Sequence, residues 1–242
     1  MVNQFGYACI NMQLSYPKLF GLKTKPISTN RSAMKKTFQT KGVDYVSELA
    51  LENCKDLLTL IQWNKNNNFN FFRVTSNLFP WSSNYELKEL KNYYQIKKIL
   101  KKVAFIIDEN NMRITSHPGP FNVLSSMRDD VVENSIKDLS IHGELFDLLK
   151  LSNTVYNKIN IHIGASYGDK KRSLETFCSN FKKLPSNVQN RLTVENDDRE
   201  SMYSVKDLYY GVYEKIGVPI VFDYHHHKFC DGELSESDAL KL

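Results

Sequence analysis

Gly217-Val218-Pro219-Ile220-Val221-Phe222-Asp223-Tyr224-His225-His226-His227 passes from a helix stop, through an apolar run of strand length, into a cluster of ligand-type side chains. Glycine ends a helix by adopting the left-handed conformation, and a proline soon after it blocks helical continuation. The same format recurs upstream. Leu192 to Glu195 ends in a carboxylate, Lys158 to Ile163 carries His162 near its end, and Met112 to Ser116 runs into His117-Pro118-Gly119. Phe69 to Thr75 leads into Ser76-Asn77, and Phe5 to Met12 carries Asn11. These runs are near-continuous rather than alternating, as expected of parallel strands covered on both faces.

Between them the apolar spacing predicts helices over Asp44 to Asn64, Asn84 to Glu109, Met127 to Leu151, Leu174 to Leu184 and Ser204 to Ile216, with one more starting at Ser235. Alternating strands and helices make βαβ units and a parallel sheet. An open doubly wound sheet should carry a glycine-rich turn after its first strand. Here that position reads Asn11-Met12-Gln13-Leu14, with no glycine to admit a pyrophosphate. The alternative is a (β/α)8 barrel of the TIM type with about six βα units present, formed by residues 1–242 as a single domain. The polar segment from Tyr16 to Lys41, read as a long loop, would then lie at the barrel mouth.

Side chains at the C-terminal ends of barrel strands converge on one mouth, where barrel active sites sit. His117, His162, Glu195, Asp223 and His226 therefore make a candidate multi-metal centre of the kind that Zn²⁺ or Mn²⁺ takes. Each residue alone has a plainer reading. A strand-end histidine can be a hydrogen-bonded structural residue, and Glu195-Asn196-Asp197-Asp198 can begin a solvated loop. His142, inside a helical segment, is left out of the set.

The 242 residues carry a net charge of +5, which suits a polyanionic partner or an ordinary, slightly basic enzyme. The longest aliphatic runs, Val103 to Ile107 and Val218 to Phe222, are far below the ~18 residues of a membrane span. With no apolar leader after Met1 and no C-x-x-C spacing among Cys9, Cys54, Cys178 and Cys230, an intracellular protein with reduced thiols is expected. G-x-S-x-G, Walker and G-x-G-x-x-G motifs are absent from the sequence, so acyl transfer, nucleotide hydrolysis and nicotinamide redox chemistry lack their usual signals.

An ordered set of segments resembles the ultraviolet damage endonucleases. It comprises Phe5 to Asn11, Phe72 to Pro80, His117 to Leu124, Ile161 to Gly164, Leu192 to Asp197 and Val221 to His227. The resemblance implies a barrel related to endonuclease IV, which nicks damaged double-stranded DNA immediately 5′ to a UV photoproduct and leaves a 3′-hydroxyl and a 5′-phosphate. It implies Mn²⁺ as the cofactor, with Zn²⁺, Co²⁺ or Mg²⁺ as alternatives. Glu195 and Asp223 would be catalytic, and His117, His162, Glu195, Asp223 and His226 the ligands. Tyr7 and Asn11 would lie near the damaged strand, and Pro120 with Phe121 would wedge into the helix at the lesion. Proline stands at 120 where the family usually has glutamine. The family also continues for two further βα units, so the chain, a monomer on this reading, is expected to be C-terminally incomplete. A sugar isomerase-like barrel and a non-catalytic binder of damaged DNA remain the competing readings.

Overall fold

The computed structural model describes residues 4–242. Its backbone contacts divide the chain into two units, residues 1–117 with 144–152, and residues 118–143 with 153–242.

In the first unit β1 (Gly6–Ala8), β2 (Phe71–Val74) and β3 (Arg113–Ser116) pair in parallel, Gly6 opposite Phe71 and Phe72 opposite Ile114. A Cβ on Gly6 would stand 1.7 Å from the Phe71 carbonyl oxygen, so no larger residue fits this register. Gly6→Ala is accordingly expected to destabilise the protein by ~3 kcal/mol, the upper range for overpacking, read as a lowered denaturant midpoint. Beside the strands lie α1 (Met12–Ser15), α2 (Lys35–Asn66) and α3 (Tyr93–Glu109). Ile96, Leu100, Val103, Ala104 and Ile107 are buried along one stripe of α3, which packs against α2.

The second unit takes the first part of α4 (Asp129–Leu148), then β4 (Ile159–Ile161), α5 (Lys170–Phe181), α6 (Ser186–Gln189) and β5 (Leu192–Glu195). It continues through α7 (Val205–Leu208), a π-turn at Tyr209–Tyr213, α8 (Glu214–Ile216), β6 (Ile220–Val221), α9 (Tyr224–His227) and α10 (Glu236–Ala239). β4, β5 and β6 are parallel neighbours, Ile159 opposite Leu192 and Glu195 opposite Val221. Every residue of β4 and β5 is buried, which accounts for their unbroken apolar runs. Gly217 caps α8 at φ 70°, and the Ser235 side chain caps α10 by accepting from Asp238 N–H, as the sequence predicts.

Several sequence expectations need correction. The first strand ends at Ala8, because Cys9 turns the chain at φ 60°; Asn11 is instead the N-cap of α1. The supposed loop from Tyr16 to Lys41 holds a 3₁₀ turn at Pro17–Phe20 and the start of α2, which is interrupted at Gly42 by non-helical φ/ψ. The segment from Ser204 to Ile216 is no uniform α-helix, since the π-turn interrupts it. His225, His226 and His227 lie on a helical turn rather than an alternating strand. The four cysteines are free, as expected, and among the described residues no helix is long and apolar enough to cross a membrane.

Candidate metal centre

Glu195 closes β5, and its carboxylate is held from the neighbouring strand. Asn160 Nδ2 donates to Glu195 Oε2, while Asn160 Oδ1 accepts from Thr193 Oγ1 at 2.7 Å. Two residues beyond β6, Asp223 caps α9 and Oδ1 accepts from the His225 and His226 amides at 2.7 and 2.9 Å. The cap turns the chain so that His226 folds back beside Glu195. Oxygens of Glu195 and Asp223 and a ring nitrogen of His226 lie within 4.8 Å of one another.

Asn196 fixes this arrangement from below the side chains. It is fully buried, accepts from Asp223 N–H at 2.8 Å, and donates from Nδ2 to the Asp223 carbonyl at 3.1 Å. His226 Nδ1 lies 2.8 Å from the Asn196 carbonyl. A carbonyl can only accept, so Nδ1 carries the proton and Nε2 keeps its lone pair for a ligand. His162 stands next to this group, 5.6 Å from His226 between ring centres. Its Nδ1 is 3.0 Å from Asp197 Oδ1, a contact that orients the ring. Asp197 and Asn196 are buried, so the reading of a solvated loop after Glu195 fails for both; Asp198 is exposed.

The electrostatics follow from these contacts. Burial opposes protonation of His162, but Asp197, with Glu195 and Asp198 behind it, outweighs that and raises its pKa above the ordinary value. For Asp223 burial works against ionisation, yet the His226 and His225 amides and the His226 ring prevail, and its pKa is lowered. Because the His162 pKa is raised on folding, its pairing with Asp197 stabilises the metal-free protein fully below its unfolded pKa of ~6.5. That contribution is lost as pH climbs through the raised folded value. The Tm difference between wild type and Asp197→Asn should thus be largest on the acid side of ~6.5 and shrink above it, as thermal melts in EDTA would show.

Two carboxylates this close repel unless a proton or a cation stands between them. Hard oxygens combined with oriented imidazoles suit Mn²⁺ or Zn²⁺, so the donor set fits a divalent ion.

His117 directly follows β3 in the first unit and is half-buried. Tyr7 and Asn11 form an internal chain there, Asn11 Nδ2 donating to Tyr7 Oη at 2.7 Å and Tyr7 Oη donating to Asn64 at 2.6 Å. Burial raises the Tyr7 pKa. Pro120 and Phe121 are both exposed, Phe121 by 60%, so Phe121 is no buried loop anchor. Asn160, Asn196 and Asp197 are the residues that sequence reasoning missed as supports. His142, left out of the set, is indeed a buried helical residue.

The UV-endonuclease UvdE family model matches residues 3–241 of the chain. The UV-damage endonuclease of Schizosaccharomyces pombe is 34% identical over 236 residues, 96% of this chain and 37% of that protein. The UV DNA damage endonuclease of Clostridium perfringens is 33% identical over 234 residues, 97% of this chain and 52% of that protein. The chain thus spans about a third to a half of the length of these two curated relatives. The crystal structure of SacUVDE matches with a TM-score of 0.80 and 33% identity, over 98% of this chain and 75% of that one. A D-psicose 3-epimerase from Clostridium cellulolyticum H10 matches at a TM-score of 0.54 and 14% identity, over 76% of this chain and 63% of that one, and this likeness shows the fold alone. The fold is α/β of the (β/α)8-barrel type, as the strand-end pattern led us to expect.

Proposed function

The chain belongs to the UV-endonuclease UvdE family, and from that premise we propose that it is a DNA repair endonuclease that nicks a damaged duplex immediately 5′ to UV photoproducts. The observation that carries the reading is the Glu195–Asp223–His226 cluster, whose members are each held by hydrogen bonds that leave ligand atoms directed together.

His162, Glu195, Asp223 and His226 would hold divalent ions, with Mn²⁺ as the proposed metal. Bound there, such ions supply Lewis-acid polarisation of the phosphodiester and a lowered pKa for the attacking water. The protein's own part is positional. Asn160 and Asn196 lock the carboxylate of Glu195 and the backbone of Asp223, so the charges need not reorganise as the phosphate changes shape. The Nδ1 protons of His226 and His162, held by the Asn196 carbonyl and by Asp197, keep the imidazoles in the tautomer that offers Nε2. Phe121, exposed on its loop, would enter the base stack where a photoproduct already weakens pairing.

Asp197→Asn is expected to weaken Mn²⁺ affinity about 10–100-fold, the usual effect of removing a carboxylate behind a ligating histidine. Titration calorimetry of Mn²⁺ into the two proteins measures it, and equal affinities would remove His162 from the ligand set. The activity itself is tested by incision of an end-labelled duplex carrying one cyclobutane dimer, with Mn²⁺ present. The expected product is a single nick directly 5′ to the dimer, with 3′-hydroxyl and 5′-phosphate ends. Preferential binding without a nick would instead favour the non-catalytic reading.

A further inference from the structure

The second unit has a separate cavity of about 540 Å³ lined by Lys170, Lys171, Lys206, Lys215, Tyr210 and Gly211. Its size falls within the ~300–1,000 Å³ of small-ligand sites. Two carboxylates, Asp207 and Glu233, also line it, against four ammonium groups. Asp207 is already committed. Its Oδ2 accepts from Ser204 N and Oγ, both at 3.0 Å, and from Lys170 at 3.1 Å. Glu233 projects into solvent, and its pair with Lys206 is long at 3.6 Å. Lys215 meets Glu175 only at 4.0 Å, and Lys171 is exposed. Exposed pairs of this kind hold their partners weakly, so the cavity carries excess positive charge that can turn towards an anion.

The backbone shapes one wall. Gly211 presses against α5, where a Cβ would lie 2.5 Å from Leu174 Cδ1. The π-turn at this point leaves the Tyr210 ring half-exposed beside the lysines. Another part of the wall continues into the support of the metal centre. Ser204, on the cavity, follows Tyr203, whose carbonyl accepts from Asp197 N–H at 2.9 Å and whose amide donates to Asp197 Oδ2 at 3.3 Å.

We propose that this cavity is a second phosphate-docking site, which takes backbone phosphates of the DNA substrate away from the bond that is cut. The inference rests on the endonuclease reading for the identity of the polyanion. Mobile ammonium groups suit contacts that must follow any sequence, and a neighbouring aromatic ring gives a sugar or base a surface to lie on. Such contacts set where the duplex sits and carry no base preference.

The test is a double variant, Lys171→Gln with Lys215→Gln, since neither residue belongs to the metal centre. Binding of the whole chain to a labelled duplex, with and without one cyclobutane dimer, is followed by fluorescence anisotropy in EDTA across a salt series. The expected result is a slope of log K against log salt shallower by about 1.8, roughly 0.9 per lost phosphate contact, on both duplexes. A wild-type slope in the variant would overturn the proposal. So would an equal loss in Lys98→Gln with Lys101→Gln on α3, which would reduce the effect to net charge. Competition by micromolar inorganic phosphate or thymidine monophosphate, lost in the cavity variant, would make this a small-phosphate site and overturn the docking role. Should wild type fail to prefer the dimer duplex, the endonuclease reading falls, while the slope comparison still decides the cavity.

Discussion

Glu195→Gln is expected to lower the rate of incision 5′ to a cyclobutane dimer by at least ~10³-fold, the order seen when a principal electrostatic group is removed from an active site. The substitution keeps the shape of the side chain and an oxygen for Asn160 Nδ2, so packing at the end of β5 survives. It removes one of the two negative charges that lie with His226 within 4.8 Å. A divalent ion then loses its most firmly positioned anionic ligand, and the phosphate loses the charge balance that permits attack. Stability should barely change. Without metal, the Glu195 side chain is a hydrogen-bond partner that helps lower the Asp223 pKa, and a glutamine amide can donate in its place, so the metal-free variant should be about as stable as wild type. End-labelled incision assays and thermal melts in EDTA measure the two effects. Undiminished incision by a well-folded variant would show that Glu195 is not part of the catalytic centre.

The residues of this centre were legible because of where a parallel strand must put its last side chain. Leu192 to Glu195 is bounded in the structure as the sequence suggests, and Asp223 follows β6 as the N-cap of a turn that presents His226. Their supports were not legible. Asn160 reaches Glu195 across 35 residues, and Asn196 reaches Asp223 across 27, by pairings that exist only once β4, β5 and β6 are aligned. Hydrophobicity also misled at the first strand. Cys9 and Ile10 extend the apolar run, but the turn at Cys9 leaves Ile10 exposed and hands Asn11 to α1. Helical spacing likewise hid the π-turn, because Tyr209–Tyr213 widens one turn without breaking the sequence pattern.

Phe121→Ala should reduce kcat/KM on the dimer duplex by about 10–100-fold, in line with the ~1–3 kcal/mol that an aromatic side chain contributes when a base stacks on it. The loop is built to hold the ring out. Asn122, buried beside it, donates to the Gly119 carbonyl at 3.1 Å and to Asp138 at 2.8 Å. Val123 N–H donates to Ser135 Oγ at 2.9 Å, and Ser125 Oγ to the Ile163 carbonyl, also at 2.9 Å. Gly119 leaves room for the ring, since a Cβ there would lie 2.4 Å from Phe121 Cε1. These bonds survive truncation of Phe121, so the melting temperature should stay within a few degrees of wild type. The loss should fall on lesion recognition alone. Affinity for undamaged duplex, governed by phosphate contacts, should be unchanged, while the preference for the dimer shrinks by the same factor as kcat/KM. Phe121→Trp restores a stacking surface and should recover most of that preference. A cooperative unfolding at much lower temperature in Phe121→Ala would assign the ring to the loop's own stability, and an unaltered preference would remove it from the lesion. The ring is large, apolar and held in water by a rigid loop, which is costly unless something covers it in use. In a distorted duplex, the faces of unstacked bases provide that cover.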